Sequence, residues 1–326
     1  MKKYHLAIIG ATGLVGKTLL KVLIEENLLD NFEITMFGSE KSTGKIMIYA
    51  GKEYRINFLN EKINFKKFDL AFFLAGDEIS KKWANYFSNA GAFVIDNSNA
   101  FRRENFVPLV VPEINVNLIN EKTKIIANPN CSTIELVLAL SCIKKVAKIK
   151  RVVVSTYQSV SGAGKEALFD LKNKTKLVLE EGISNNLISY IGKKLDSGFC
   201  TEEDKIMFET SKILGEEINL CASTVRVPIT NCHLESVFVE FEEDVLADEI
   251  KGAISGKNIF YSDEIVLPTD LASSNDTFVF RMRQFGKREI AFFVLADNLR
   301  RGASFNAVLI AKYLLNKNFF NEHVKN

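Results

Sequence analysis

Short apolar runs alternate with amphipathic stretches along the first 130 residues, and that alternation leaves few folds open. Leu6–Ile9, Glu33–Phe37, Leu70–Leu74, Phe93–Ile95 and Lys124–Ala127 have the length and composition of buried strands. Between them Leu14–Glu26 and Lys81–Asn89 carry helical periodicity. Strands separated by helical crossovers pair in parallel, and the crossovers cover both faces of the sheet. The first region is therefore expected to be an N-terminal Rossmann-like doubly wound sheet in an α/β chain.

Beyond Ala127 the texture changes. Arg151–Thr156 and Thr224–Ile229 read as buried strands, and Ser236–Glu242 alternates apolar and charged residues as a sheet with one wet face does. Phe278–Gln284 and Glu289–Leu295 flank Phe285-Gly286-Lys287-Arg288 as a hairpin. This predicts an α+β domain with a mostly antiparallel sheet over 128–299. The first domain would span 1–127 and be completed by a C-terminal helix within 300–326, its amphipathic part being Gly302–Asn316. A length of 326 residues suits two domains, since single cores rarely grow beyond roughly 250–300 residues.

Composition excludes several classes. A net charge of +2 favours neither a nucleic-acid surface nor an acidic tail. Five cysteines without C-x-x-C spacing fit a reducing compartment, and three histidines without a Cys/His cluster give no zinc site. No apolar run approaches the ~18 residues of a membrane span, and the apolar run after Met1-Lys2-Lys3 is too short for a signal peptide. The expectation is a cytoplasmic protein with no membrane or nucleic-acid partner and no metal.

Gly10-Ala11-Thr12-Gly13-Leu14-Val15-Gly16 lies between the first strand and the first helix. Glycines there permit a tight turn and bring backbone N–H groups and a helix N-terminus onto a pyrophosphate. A tight turn that binds nothing has the same spacing, so the context carries the dinucleotide reading. After the second strand, an NAD site places Asp or Glu where it can bond the ribose 2′-OH. Here the chain runs Gly38-Ser39-Glu40-Lys41-Ser42, with Glu40 two residues late. Ser39, Lys41 and Ser42 suit a 2′-phosphate, which favours NADP.

Cys131 follows Asn128-Pro129-Asn130 and precedes a long apolar helical stretch, Ile134–Val146. A thiol in the first turn of a helix meets unpaired N–H groups and the positive end of the dipole, which stabilise a thiolate. A structural thiol remains the alternative. Of the histidines, His5 starts a strand and His323 lies in the polar tail, leaving His233 at a strand–loop junction as the candidate proton carrier. Gln158 opens the glycine-rich turn Gln158–Gly164, where a side chain can orient a carbonyl. Arg226 sits in an otherwise apolar run, and a buried arginine needs an anion, either a substrate or a structural partner. Arg102 falls between strands, and Glu202 and Lys205 share a helix face that is most simply a solvated one.

In order along the chain stand GATGLVG (10–16), SEKSTGK (39–45), FFLAG (72–76), DNSNAFR (96–102), VPEIN (111–115), NPNCST (128–133), QSVSGAG (158–164), RVPITNCH (226–233) and ADNLRRGAS (296–304). Together they resemble aspartate-β-semialdehyde dehydrogenase, an NADP-dependent enzyme of lysine (diaminopimelate), threonine and methionine biosynthesis. The resemblance covers nearly the whole chain. It implies Cys131 as nucleophile, His233 as acid/base and Gln158 as the residue orienting the acyl intermediate. Arg226 would clamp the substrate carboxylate and Glu202 its ammonium. Arg102 and Lys205, with Asn130, would hold phosphate. Cofactor contacts would come from Gly10, Thr12, Gly13, Leu14 and Val15, from Ser39, Lys41 and Ser42, and from Ser161, Gly162 and Asn298. Lys41 stands where many relatives have Arg, which keeps the charge but loses planar stacking.

The implied reaction is reduction of L-4-aspartyl phosphate by NADPH to L-aspartate 4-semialdehyde and inorganic phosphate, through a Cys131 thioester in a homodimer. Two alternatives stay open: an N-acetyl-γ-glutamyl-phosphate reductase and a non-catalytic NADP-sensing regulator.

Overall fold

The computed structural model describes residues 3–320, so His323, the tail of the 300–326 segment and Met1-Lys2 lie outside the described residues. By compactness the chain divides into two units, one of residues up to Pro129 together with those from Ala303, the other Asn130–Gly302.

The first unit holds β1 (Tyr4–Ile9), α1 (Leu14–Glu25), β2 (Phe32–Gly38), β3 (Ile46–Tyr49), β4 (Lys52–Phe58), β5 (Leu70–Phe73), α2 (Asp77–Asn89), β6 (Phe93–Asp96), α3 (Pro112–Asn115) and β7 (Ile125–Ala127). Its sheet order is β3-β4-β2-β1-β5-β6-β7, parallel except for the β3–β4 hairpin. Successive side chains of a strand point to opposite faces. Accordingly Leu6 and Ile8 pack with Leu19, Leu23 and the C-terminal Val308 and Ala311. Ala7 and Ile9 pack on the other face with Phe73, Trp83 and Phe87 of α2. Asn306 Nδ2 stitches the returning C-terminal segment to this unit through Val110 O (2.8 Å) and Asn128 Oδ1 (2.7 Å).

The second unit holds α4 (Cys131–Ile143), β8 (Ile149–Gln158), α5 (Lys165–Asn173), α6 (Thr201–Leu214), β9 (Leu220–Arg226), β10 (His233–Phe241), α7 (Ala247–Ala253), β11 (Ser255–Gly256), β12 (Ile259–Ser262), α8 (Pro268–Leu271), β13 (Thr277–Phe285) and β14 (Glu289–Ala296). Its sheet order is β11-β12-β13-β14-β10-β8-β9, antiparallel except at β12–β13 and β8–β9. The two-sheet α/β plus α+β architecture expected from the pattern is what the chain adopts. The last helix, α9, runs Asn306–Asn316.

The differences have local causes. The β3–β4 hairpin was not expected; its turn uses Ala50 and Gly51, both at positive φ (50° and 72°), rather than the usual Asn-Gly. The strand expected at Thr224–Ile229 ends at Arg226: the Val227 N–H makes the last ladder bond, to Gln158 O (3.0 Å), and Pro228 has no N–H with which to continue it. The strand expected from Ser236 begins at His233, three residues earlier, so that histidine belongs to the sheet. The final helix is preceded by a π-helical turn, Arg300–Phe305, which replaces the regular start expected at Gly302.

The nucleotide turn depends on close backbone approach. Gly10 has φ +90°, and a Cβ there would lie 2.8 Å from Leu74 O. A Cβ on Gly16 would meet Gly10 O and lie 2.8 Å from Ala11 Cα, both backbone atoms that cannot swing aside. Gly16→Ala should therefore destabilise by about 1–3 kcal/mol, the usual cost of overpacking, and lower the thermal midpoint by a few degrees. A wild-type midpoint by calorimetry would show that the turn has slack.

Candidate active site

In the first unit, the carboxyl ends of β1 and β5 flank the point where strand order reverses, the usual place for a ligand in an open parallel sheet. A cleft of about 900 Å³ opens there, walled by Gly10, Thr12 and Gly13, by Gly38 and Ser39 after β2, and by Leu74 and Ala75 after β5. Lys62, Lys82 and Trp83 close its far side. The Gly10 N–H and Ala11 N–H both donate to Phe37 O (3.0 and 3.2 Å), which fixes the turn. Leu14 and Val15 open α1 directly behind it. Lys41 and Ser42 follow in a single 3-10 turn, Ser42 Oγ 3.4 Å from Ser39 Oγ. Arg102 is also in this unit, 7% exposed, donating to Asn97 O (2.8 Å) and Asn99 Oδ1 (3.2 Å).

The second unit gathers the remaining candidates. Asn130 caps α4, its Oδ1 accepting from Thr133 N–H at 3.2 Å, so Cys131 is the first helical residue. Asn130 Nδ2 donates to Glu202 Oε1 (2.7 Å), and its backbone N–H to Glu209 Oε2 (2.7 Å). Glu202 Oε1 also accepts from Gln158 Nε2 (3.3 Å), and Lys205 Nζ lies 3.0 Å from Oε2. Three candidates, two of them distant in sequence, thus meet at the carboxylate of a fourth. Glu203 anchors this helix from the other side, accepting from Cys200 N–H (2.8 Å) and from Thr224 N–H of β9 (2.9 Å).

His233, fully buried, receives the Ser159 N–H on Nδ1 at 3.1 Å. An imidazole nitrogen that accepts carries no proton, so the neutral ring bears its proton on Nε2. That Nε2 has no hydrogen-bond partner among the described residues. Asn298 organises the same corner, its Oδ1 accepting from Ser159 Oγ (3.0 Å) and Cys232 N–H (3.0 Å), its Nδ2 donating to Ser161 Oγ (2.9 Å). Gly162 leaves room for these side chains, since a Cβ there would sit 3.0 Å from Arg226 Nη1 and 3.4 Å from His233 Nε2. Arg226, 5% exposed at the end of β9, donates from Nη1 to Ser159 O (2.7 Å) and forms no ion pair among the described residues.

Burial governs the electrostatics. It pushes the Cys131 thiol up to about 12, helped by the nearby Glu202 and Glu135 carboxylates and opposed by Arg226. The thiolate expected from the helix start alone is overruled, because desolvation and two negative charges outweigh a half-charge dipole. Burial and then Arg226 hold His233 down to about 3. Burial also acts to raise Glu202, but Lys205, the Asn130 amide and Arg226 outweigh it and bring that carboxyl to about 2. The resting site is therefore a neutral thiol and a neutral imidazole between one carboxylate and one guanidinium.

Sequence reasoning passed over Glu135, Glu209, Glu235 and Gly302. Glu135 stands in an apolar helix with every other position around it buried, and that conflict was its one signal. Gly302 lets the π turn approach the thiol, since a Cβ would fall 2.8 Å from Cys131 Cβ. Because the thiol stays protonated, its alkylation by iodoacetamide should rise about tenfold per pH unit from pH 7 to 9, as thiolate fraction does well below a pKa. A flat rate over that interval, read by peptide mass spectrometry, would mean the thiolate already exists at neutral pH.

Comparison with known proteins agrees in both units. The family model described as semialdehyde dehydrogenase, NAD binding domain, matches residues 5–122, and that described as semialdehyde dehydrogenase, dimerisation domain, matches 140–301. The aspartate-semialdehyde dehydrogenase of Aquifex aeolicus is 42% identical over 96% of this chain and 98% of its own; that of Bacillus subtilis is 36% identical over 95% and 97%. The crystal structure of aspartate semialdehyde dehydrogenase II from Vibrio cholerae complexed with ASA superposes with a TM-score of 0.90, at 36% identity, covering 97% of this chain and 99% of that one.

Proposed function

The chain belongs to the aspartate-semialdehyde dehydrogenase family, and on that premise we propose how its residues carry the reaction and which cofactor they take. The substrate is read as L-4-aspartyl phosphate, reduced to L-aspartate 4-semialdehyde with release of inorganic phosphate. The observation that carries the residue assignment is Arg226: a buried guanidinium beside His233, without an internal ion pair, requires an anionic ligand such as the substrate carboxylate. Glu202 accepts three hydrogen bonds and a carboxylate has about four acceptor positions, which leaves one for the substrate ammonium. A substrate acetylated at that nitrogen would gain nothing there. Arg102 and Lys205 are the proposed phosphate contacts, with Asn130.

Burial and then the Glu202 charge hold the Cys131 thiol up; ammonium bound at Glu202 offsets the second of these, and the thiol proton leaves with the departing phosphate as the sulfur attacks. The sulfur bonds the acyl carbon, the carbon–oxygen bond to phosphate breaks, and a thioester remains on Cys131. The His233 Nε2–H donates to the carbonyl oxygen as negative charge develops, with Gln158 fixing the acyl group. Protonation of the ring at both nitrogens, as an acid/base role needs, is opposed by burial and Arg226 in the resting site. The cofactor, when bound, supplies the hydride to the thioester carbon. Cleavage of the carbon–sulfur bond then frees the aldehyde and returns the thiolate.

The cofactor read from the cleft is NADP(H). The glycine turn and the space in front of it fit a dinucleotide, and no acidic residue stands at the end of β2, where Gly38 and Ser39 wall the cleft. Lys62 and Lys82 add positive charge to that wall, against the single carboxylate of Glu61, with Lys41 and Ser42 one turn away. Ser161, Gly162 and Asn298 are the proposed contacts nearer the chemistry. A homodimer through the matched dimerisation domain would cover Val153 and Tyr157, which β8 leaves exposed on its outer face.

A phosphate-dependent reduction of NADP with aspartate semialdehyde measures the activity directly. Cys131→Ala should abolish it while NADPH titration by fluorescence stays unchanged; a substantial residual rate would remove Cys131 from the mechanism. Arg226→Ala should lower kcat/KM by about a hundredfold or more, the scale of losing a charge-assisted bidentate contact in a dry site. Ser39→Asp should shift the NADP/NAD ratio of kcat/KM toward NAD by about tenfold, and an unmoved ratio would place the selectivity elsewhere.

A further inference from the structure

The π turn Arg300–Phe305 starts from an acidic residue that the roles above leave out. Asp297 follows β14 directly and is 2% exposed. Its backbone carbonyl accepts from the Gly302 N–H at 3.1 Å, an i to i+5 bond of the π-helical kind, and from the Arg300 N–H at 3.1 Å. Its side chain closes the same turn: Oδ1 accepts from the N–H groups of Leu299 (2.9 Å) and Arg300 (3.1 Å), and Oδ2 from Ser273 N–H (2.8 Å). The first N–H groups of a helical turn lack carbonyl partners, and a side-chain oxygen just ahead of them supplies the missing acceptor. A carboxylate does so roughly twice as strongly as a neutral oxygen.

This turn reaches the two reacting groups from its two ends. Asn298, the next residue, accepts on Oδ1 from Ser159 Oγ (3.0 Å) and Cys232 N–H (3.0 Å). Ser159 is the residue whose N–H meets His233 Nδ1 (3.1 Å), and Cys232, at φ +72°, directly precedes that histidine. At the other end Gly302 packs on the nucleophile, where a Cβ would lie 2.8 Å from Cys131 Cβ. The loop after α8 braces the turn twice. Ser273, at φ +77°, supplies the third N–H, and Asn275 Oδ1 accepts from Arg300 Nε at 2.9 Å. A non-glycine residue keeps a positive φ only where its surroundings hold it there.

We propose that Asp297 is a positioning residue for the reaction: by capping the π turn it sets Asn298 against the His233 corner and Gly302 against Cys131. It thereby fixes the acid and the nucleophile relative to each other. The proposal deepens the mechanism above and rests on it for the effect on rate, though not for the effect on geometry. An amide cannot replace this carboxylate in full. A carboxylate only accepts and all three of its partners are donors, so Asn would turn its NH2 toward at least one of them. Displacement of a reacting group by about 1 Å costs on the order of a hundredfold in rate, so loss of the cap is felt at both ends.

Nitrogen-15 spectroscopy of histidine-labelled protein reads the first end directly, since the chain has three histidines and each neutral tautomer has its own nitrogen shifts. In the wild type His233 should show a protonated Nε2 and a bare Nδ1. Asp297→Ala should replace that pattern by one averaged over both tautomers, and Asp297→Asn, which keeps an acceptor for Leu299 and Arg300, should restore most of it. In Asp297→Ala kcat should fall on the order of a hundredfold, and Asp297→Asn should recover to within about tenfold of wild type. KM for the aldehyde should stay within about twofold in both, because Arg226 and Glu202 are held by other partners. Alkylation of Cys131 at pH 8 should rise several-fold in Asp297→Ala as Gly302 withdraws from the thiol. A wild-type imidazole pattern or an unchanged kcat in Asp297→Ala would overturn the proposal. So would a fall in kcat with no change at either His233 or Cys131. Should Asp297→Ala fail to fold, amide hydrogen exchange in the wild type decides: Leu299 and Arg300 must exchange slowly, and fast exchange there would sink the idea. Neither the imidazole pattern nor amide exchange depends on turnover, so both are judged apart from Cys131 as nucleophile.

Discussion

The Asn130–Glu202 hydrogen bond joins three parts of the site at once. Asn130 ends the loop after β7 by capping α4, a contact worth about 1 kcal/mol in helix stability. The same side chain reaches α6 at 2.7 Å, and through Glu202 it is tied to Gln158 at the end of β8 and to Lys205. Removing the cap would not merely fray a helix. It would leave a buried carboxylate short of a donor and free the turn that carries the thiol.

Around that contact the site holds its charges apart from water in an arrangement that is expensive without a ligand. Arg226 is buried with a hydrogen bond to a carbonyl and, among the described residues, no ion pair, and Cys131 and His233 are both kept neutral. Such an arrangement is poorly adapted to stability and well adapted to a ligand that brings a carboxylate, an ammonium and a developing oxyanion. Preorganised donors and charges need no rearrangement when the reaction charge appears, which is where electrostatic catalysis gains most. The Ser159 N–H contributes by a single hydrogen bond, since it selects the His233 tautomer whose free N–H faces the site.

The strand–helix alternation and the glycine turn were legible because they are local. Period-two and period-3.6 patterning and the need for positive φ or a missing Cβ are written into consecutive residues. Cys131, His233, Gln158 and Arg226 stood out on equally local grounds: a thiol at a helix start, the one histidine of three at a strand–loop junction, the residue that opens a glycine-rich turn, and an arginine in an apolar run. Glu135 conflicts as plainly, but its full burial is a fact of tertiary packing, so nothing local distinguished it from a tolerated anomaly. Strand ends were misjudged at Arg226, where the ladder stops before Pro228, and at His233, where tertiary hydrogen bonding rather than propensity decides where it begins.

By itself, then, the sequence determined the fold class and the dinucleotide turn and singled out the candidate reactive groups, because those follow from periodicity, backbone freedom and side-chain chemistry. The tertiary structure alone decided the protonation states. Helix position predicted a thiolate at Cys131; burial and the carboxylates of Glu202 and Glu135, brought in from another helix and the next turn, make it a thiol. It likewise decided that Glu202 is a junction of four residues rather than a solvated helix face. Charge state depends on desolvation and on the distance to other charges, and both are properties of the packed chain.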